Sequence, residues 1–310
     1  MSQQGIRHRM PGADAPRGRT PDGSVVLVTG AAGVIGGVVV PYLAGSGLRV
    51  VAVDRSPFSS PKAELVLVGD VRDRAFVAQS LRPFGRPVDA VVHLAAIAAP
   101  GQVPEDETLA QNVQGAYLVL DGAGRAGVRC AVAASSVAAY GYAWAGRDLS
   151  PPYVPVDEAQ PSVAIDSYGL SKTMTEQVGA FATRRWGMPT ILLRFPFVGD
   201  GDRLAAHLDR IRRDVAANRR ELWAWLDTRD AARAVHAALT SGLTGHHVFN
   251  IAAPDTSTAV PTAELLARFH PDTRLRAPLD GFDSPLDSSA ARRLLGFETR
   301  HGWRDGAGND

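Results

Sequence analysis

The sequence predicts an α/β fold: a Rossmann-type doubly wound parallel sheet carrying a small C-terminal substrate-binding cap. Three observations carry that expectation. Short apolar runs such as Val25–Val28, Val50–Val53, Leu65–Val68 and Ala90–Leu94 alternate with longer stretches of helical spacing, the pattern of βαβ units. The first run ends in a glycine-rich turn, Thr29-Gly30-Ala31-Ala32-Gly33-Val34-Ile35-Gly36. An acid, Asp54, closes the second run.

Each glycine of the turn has a physical task. Gly30 permits the tight exit from the strand, Gly33 lets backbone amides approach a pyrophosphate, and Gly36 lets the helix lie close to the sheet. The helix N-terminus then offers unpaired N–H groups and a partial positive charge to a diphosphate. Asp54, at the tip of the second strand, can accept from ribose hydroxyls. Strand, turn, helix, strand and acid together specify dinucleotide binding far better than a glycine triplet alone.

The third run, Leu65–Val68, is followed by Gly69-Asp70-Val71. That loop passes beneath an adenine in such sheets, so Asp70 is expected to accept from the amino group and Val71 to cover the ring. The fourth run leads into Ala95-Ala96, whose small side chains leave room for a nicotinamide ribose. His93, inside that strand, is expected to be a satisfied buried histidine. Glu105–Ala126 has helical spacing and holds Asn112, whose poor helix propensity suggests a side chain facing the cofactor or an ordered water. Cys130–Ala134 is the fifth strand, delivering Ser135-Ser136 at its C-terminal end, where parallel sheets place their chemistry. The segment Tyr140–Asp166 is long for a connection and is expected to shape a pocket.

A helix opens at Tyr168-Gly169-Leu170-Ser171-Lys172. Tyr168 and Lys172, four apart, share a face. An ammonium beside the phenol is expected to lower its pKa towards neutrality and make Tyr168 a general acid/base. Ser136 can hold the substrate oxygen. Ile191–Arg194 is the sixth strand, and beyond it the alternation fades. Leu204–Arg220 reads as one charged helix, Trp223–Leu226 as a short strand, Asp230–Leu239 as a helix, His247–Ile251 as a strand, and Thr262–Phe269 and Asp287–Leu295 as helices. The expected divisions are an N-terminal arm at 1–23, disordered; a dinucleotide-binding domain at 24–199; an interleaved cap at 200–303; and a tail at 304–310.

Composition narrows the function classes. The formal net charge is +1, which gives no general argument for nucleic acid or an anionic membrane. The single cysteine, Cys130, excludes an intrachain disulfide and reads as a small buried hydrophobe. No signal peptide or membrane span is expected, so the reading is cytoplasmic. His246-His247 are adjacent, a poor spacing for one metal, and no metal site is expected.

Taken together, these motifs resemble the extended short-chain dehydrogenase/reductases, the NAD-dependent epimerase/dehydratase family. The resemblance runs from about Val25 to Phe297 through separated motifs: Thr29–Gly36, Asp70-Val71, His93–Ala96, Asn112–Gly115, Ser135–Gly141, Tyr168–Lys172 and Arg194–Gly199. It implies a catalytic Ser136, Tyr168 and Lys172. It also implies a dinucleotide lined by Gly30, Gly33, Val34, Ile35, Gly36, Asp54, Arg55, Asp70, Val71, Leu94, Ala95, Ala96, Asn112, Tyr168, Lys172 and Pro196. Ser136, Tyr168 and Phe197 would touch substrate. A homodimer through a four-helix bundle is the implied assembly.

Departures from the family pattern shape the expected chemistry. Val137-Ala138 replace the acidic pair of sugar 4,6-dehydratases. Phe197 stands where nucleotide-sugar epimerases carry Asn, and Trp223 where they carry a diphosphate-binding Arg. The expectation is therefore an oxidoreductase acting on a secondary alcohol or ketone of a sugar-like molecule, with weak affinity for UDP-like diphosphates. A sugar or nucleotide-sugar epimerase is the alternative, and a non-catalytic dinucleotide sensor a third. Asp54 favours NAD, while Arg55 leaves NADP open.

Overall fold

The computed structural model describes residues 20–304. Strand β1 (Val25–Thr29) enters helix α1 (Gly36–Gly45) through the glycine turn and returns as β2 (Arg49–Asp54) and β3 (Leu65–Val68). Helix α2 (Arg74–Ser80), capped by Asp73, leads to β4 (Ala90–His93). The stretch expected as one helix from Glu105 is α3 (Glu105–Leu109), a π-helical turn at Ala110–Gln114, and α4 (Gly115–Ala126). Then come β5 (Cys130–Ser136), the two-residue β6 (Tyr153–Val154) and the long α5 (Ser167–Trp186). Strands β7 (Thr190–Phe195) and β8 (Phe197–Val198) precede α6 (Gly201–Arg213), a 3₁₀ turn at Val215–Glu221, and β9 (Trp225–Leu226). Helix α7 (Thr228–Thr240), β10 (His246–Asn250), α8 (Thr262–Phe269), β11 (Arg274–Leu275) and α9 (Ser289–Leu295) finish the chain.

The main sheet is parallel with order β10-β7-β5-β4-β1-β2-β3. The chain winds from β1 outward through β2 and β3, then returns to the other side of β1 at β4. The switch point thus lies between the C-terminal ends of β1 and β4, where ligands bind in such sheets. Alternation along β1 feeds two cores. Val26 and Val28 join Val39, Leu43 and Val235 on one face. Val25 and Leu27 join Val77, Leu118 and Met188 on the other. Both faces are covered, so the strands are apolar throughout, as a buried parallel sheet requires.

Residues 200–303 are divided between two bodies of structure. Helix α7 lies against α1, and β10 extends the main sheet beside β7. The cap proper is α6, the 3₁₀ turn and α8, joined by the small β8–β9 pair. The helix expected over Leu204–Arg220 breaks at Asp214, which is extended (φ −145°, ψ 97°) and caps the 3₁₀ turn by accepting from Ala216 N–H.

Most of the expected N-terminal arm lies outside the described residues. Thr20 is within them and is buried; its N–H donates to Leu239 O, and its hydroxyl lies 3.4 Å from Cys130 Sγ. Arg304, expected in the tail, is anchored to Asp255 and to the carbonyls of Thr256 and Thr258.

Candidate active site

A cavity of about 1400 Å³ opens at the switch point. That exceeds the roughly 300–1,000 Å³ of a site for one small ligand and leaves room for a dinucleotide and a second molecule. Its floor is main chain. Gly30 has φ +72°, and a Cβ there would stand 2.6 Å from Ala95 N; a Cβ on Gly36 would stand 2.1 Å from Gly30 O. Only glycine keeps the turn this close to β4, and the cradle left open is of the kind a pyrophosphate fills. Asp54 secures it: Oδ2 accepts from Ala32 N–H at 3.0 Å and Oδ1 from Ser56 N–H at 3.2 Å. The sequence-predicted Gly30, Gly33, Val34, Ile35, Gly36, Asp54 and Arg55 all line the cavity. So do Val71, Leu94, Ala95, Ala96 and Pro196.

Two expected cofactor ligands, Asp70 and Asn112, are not among the residues lining the cavity. Asp70 is held by Arg72, whose Nη2 donates to Oδ2 at 2.8 Å and whose N–H donates to Oδ1. That ion pair holds the Asp70 carboxyl below its usual range. Asn112 is buried in the π turn, and its amide is fully used. Oδ1 accepts from Ile97 N–H at 2.7 Å; Nδ2 donates to Ile97 O and to Ser171 Oγ. It fastens the loop after β4 to α5, a positioning task. Its neighbour Gln111 is the residue that lines the cavity, with a buried Oε1 lacking a protein partner. The one-residue phase shift of a π turn, frequent at functional sites, exchanges the two, and helical periodicity alone could not reveal it.

Ser136, Tyr168 and Lys172 do converge. Ser136 ends β5, its Oγ accepting from Ala138 N–H at 3.1 Å. Asp166 caps α5 by accepting from Gly169 N–H, which sets Tyr168 in the first turn. Lys172 donates to Ala134 O at 3.1 Å, and its ammonium is 5.5 Å from the Tyr168 ring centre. The electrostatics differ from expectation. Burial pushes the Tyr168 phenol up to about 12, with a hydrogen bond to Ser136 opposing. Burial also pulls Lys172 down to about 8, against the Glu176 carboxylate. In the chain alone, desolvation outweighs what one cation at this distance returns to the phenol.

Behind the triad lies a network that the sequence reading missed. Glu176, one turn beyond Lys172 on the same face, accepts from Ser135 Oγ at 2.6 Å. It also accepts from Arg194 Nε and Nη2, each at 2.8 Å. The Arg194 guanidinium lies 4.6 Å from the Tyr140 ring centre, and Tyr140 OH donates to Asn250 Oδ1. This fixes the ends of β5 and β7. The visible signal was spacing: Tyr168, Lys172 and Glu176 recur every four residues. His93 is the satisfied buried histidine expected, Nδ1 2.8 Å from Thr29 Oγ1, with a pKa drawn down to about 3 by burial.

The cap wall carries cations. Arg203, His207 and Arg210 fall at i, i+4 and i+7 on α6, and all three line the cavity. His207 is buried and stacks on Phe197, ring centres 3.7 Å apart and 6° from parallel. Arg210 approaches its Nδ1 at 3.4 Å, which leaves the ring proton on Nε2, a buried atom without a protein partner. Burial, then the charges of Arg210 and Arg203, draw its pKa to about 4, so the ring is neutral near pH 7. Arg219 and Arg220 also line the cavity, both gripping Asp148 on the loop after β5. Trp223 and Trp225 face away and are fully buried. The break at Asp214 re-aims the chain after α6, so that Arg219 and Arg220 line the same cavity as Arg203 and Arg210, which share one face of α6. Among the described residues, the non-glycine residues with positive φ are Leu222 (56°) and Trp223 (54°). Each costs about 1–2 kcal/mol in that conformation.

Among the described residues no helix is long and apolar enough to cross a membrane. A family model described as the NAD dependent epimerase/dehydratase family matches residues 26–252. The sequence is 34% identical to a UDP-glucose 4-epimerase of Azospirillum brasilense across 57% of this chain and 50% of that protein. Against a UDP-glucose 4-epimerase of Corynebacterium glutamicum the identity is 27%, across 89% and 91%. The chain thus spans about half the length of the first of these relatives. Among solved structures, it is similar to a short-chain dehydrogenase/reductase superfamily protein of Agrobacterium tumefaciens with bound NAD, with 26% identity and TM-score 0.68, covering 90% of this chain and 93% of that one. It is also similar to MoeE5 in complex with UDP-glucose and NAD, with 28% identity and TM-score 0.67, covering 91% and 95%.

Proposed function

Because the chain belongs to the NAD dependent epimerase/dehydratase family, and its glycine cradle fits NAD, we propose that it epimerises a hydroxyl-bearing carbon of a nucleotide sugar. The observation that carries this reading is the α6 face: Arg203, His207 and Arg210 line the same cavity as Tyr168. Two cations and a neutral N–H donor suit a diphosphate, which needs directed donors and positive charge. The UDP-glucose 4-epimerases among its relatives support the same reading.

Gly30, Gly33 and Gly36 would cradle the pyrophosphate of NAD, and Asp54 would take the ribose hydroxyls. What NAD supplies when bound is a reversible hydride acceptor whose positively charged ring adds to Lys172 the cation that the phenol lacks in the chain alone. Ser136 holds the sugar oxygen. Tyr168 removes the hydroxyl proton as the carbonyl forms and returns it as the carbonyl is reduced. Inversion requires the keto sugar to present its other face. A diphosphate held on α6 keeps the intermediate in the cavity while the sugar turns. Exposed Leu170 and Met174 on α5 fit a homodimer formed through that helix and α4.

The test is incubation of the purified protein with UDP-galactose, followed by NMR of the sugar. Conversion to UDP-glucose without net reduced nicotinamide is the expected result. A second reading, a dehydrogenase, draws on Phe197, a side chain without a donor in the cavity lining. Reduced nicotinamide accumulating in step with an oxidised sugar, and no epimer, would establish that reading instead.

A further inference from the structure

Glu221 lines the cavity with Ser136, Tyr168 and Lys172, and nothing above gives it a task. Among the described residues its carboxyl has no hydrogen-bond or ion-pair partner. Its placement is enforced. Glu221 ends the 3₁₀ turn, and the next two residues, Leu222 and Trp223, are both left-handed. Such conformations in bulky residues persist only where the surroundings over-determine them. Here they do. Trp223 is fully buried, its indole N–H donates to Val215 O at 2.7 Å, and its carbonyl accepts from both N–H and Oγ of Ser257. The strained corner turns the chain so that tryptophan goes inward and the glutamate goes to the cavity.

We propose that Glu221 is a specificity-determining residue that hydrogen-bonds a hydroxyl at the reacting end of the sugar and excludes a sugar carrying a carboxylate there. This rests on the nucleotide-sugar reading above and narrows it to neutral sugars. An ionised carboxyl only accepts hydrogen bonds, so its complement is a hydroxyl donor. A carboxylate in the same position meets like charge, a device of discrimination as effective as attraction. Burial raises the Glu221 carboxyl pKa, and the charge of Arg210 opposes that shift and favours the ionised form. The other nearby cations are engaged elsewhere. Arg219 and Arg220 are engaged with Asp148, and Arg203 with Val198 O. Proximity to the chemistry is supported by the influence of the Glu221 charge on Tyr168, whose phenol it pushes upward.

UDP-glucose and UDP-glucuronic acid differ by a hydroxymethyl and a carboxylate at one carbon, and they are the probes. NAD-loaded protein is titrated with each by calorimetry, as wild type and as Glu221→Gln, which keeps the shape and removes the charge. Wild type should bind UDP-glucose at least about tenfold more tightly, the scale of one like-charge contact. In Glu221→Gln the gap should close to about threefold or less, mainly through better binding of UDP-glucuronic acid. Equal binding of the two by wild type, or an unchanged ratio in the variant, overturns the proposal. The wild-type ratio decides the matter even if the variant folds poorly. If UDP-glucose binds and is epimerised while the ratio stays flat, Glu221 loses this role and the proposed function stands. If neither ligand binds at millimolar concentration, both fall together.

Discussion

The cavity wall that cradles the dinucleotide is made mostly of main chain, and the wall opposite is made mostly of long side chains. On the first, three glycines and the amide held by Asp54 define the shape, and the atoms that matter lie next to one another in sequence. On the second, Arg203, His207, Arg210, Arg219, Arg220 and Glu221 come from two elements whose relative direction depends on a helix break at Asp214. A site built of backbone is written in spacing. A site built of side chains is written in geometry that spacing does not carry.

The two walls should therefore fail separately. The largest effect belongs to the group between them. Tyr168→Phe should lower kcat by about 10²–10⁴-fold, the usual worth of a general acid/base, while NAD and UDP affinities change little. Near-normal turnover of that variant would remove Tyr168 from the proton relay. Next comes the network that fixes the seam. Arg194→Met strands a buried carboxylate on Glu176 and should destabilise the protein by about 3–5 kcal/mol, read from its denaturant midpoint. A loss below 1 kcal/mol would mean that water or rearrangement satisfies Glu176.

Gly36→Ala sharpens the comparison on the backbone side. The added Cβ would meet Gly30 O and Ala31 Cα, so the turn must move. An overpacking penalty of about 1–3 kcal/mol predicts a fall in NAD affinity of about 5- to 150-fold, with UDP binding unchanged. Arg210→Ala does the reverse and is the smallest effect. The side chain is exposed, so UDP affinity should fall only about two- to fivefold, with NAD affinity intact. If Arg210→Ala weakened NAD as much as UDP, the separation of the walls would be wrong.

The same division governs what was legible beforehand. The parallel sheet, the glycine cradle and the convergence of Ser136, Tyr168 and Lys172 were readable because each rests on local rules: turn sterics, strand ends and an i, i+4 pair. Asn112 and Asp70 do not line the cavity, for local reasons of another kind. A π turn rotates Asn112 away and brings Gln111 in, and Arg72, two residues on, takes the Asp70 carboxylate. In the chain alone the Tyr168 pKa is raised instead of lowered, because burial, a tertiary quantity that no motif encodes, dominates. The cap was misread at one residue: the helix expected over Leu204–Arg220 breaks at Asp214, and beyond the break Arg219 and Arg220 line the cavity that Arg203 and Arg210 line from α6.

Cys130 offers a use of a different sort. It is the chain's sole cysteine, it is buried in β5, and the Thr20 hydroxyl lies against its sulfur. Burial keeps the thiol protonated by raising its pKa, so alkylating reagents have neither access nor a thiolate to attack. Labelling must wait for Thr20 to lift or for β5 to open. The mass gained by this one side chain, followed against time, is a clock that reads the opening of the Thr20–β5 contact with no engineered probe.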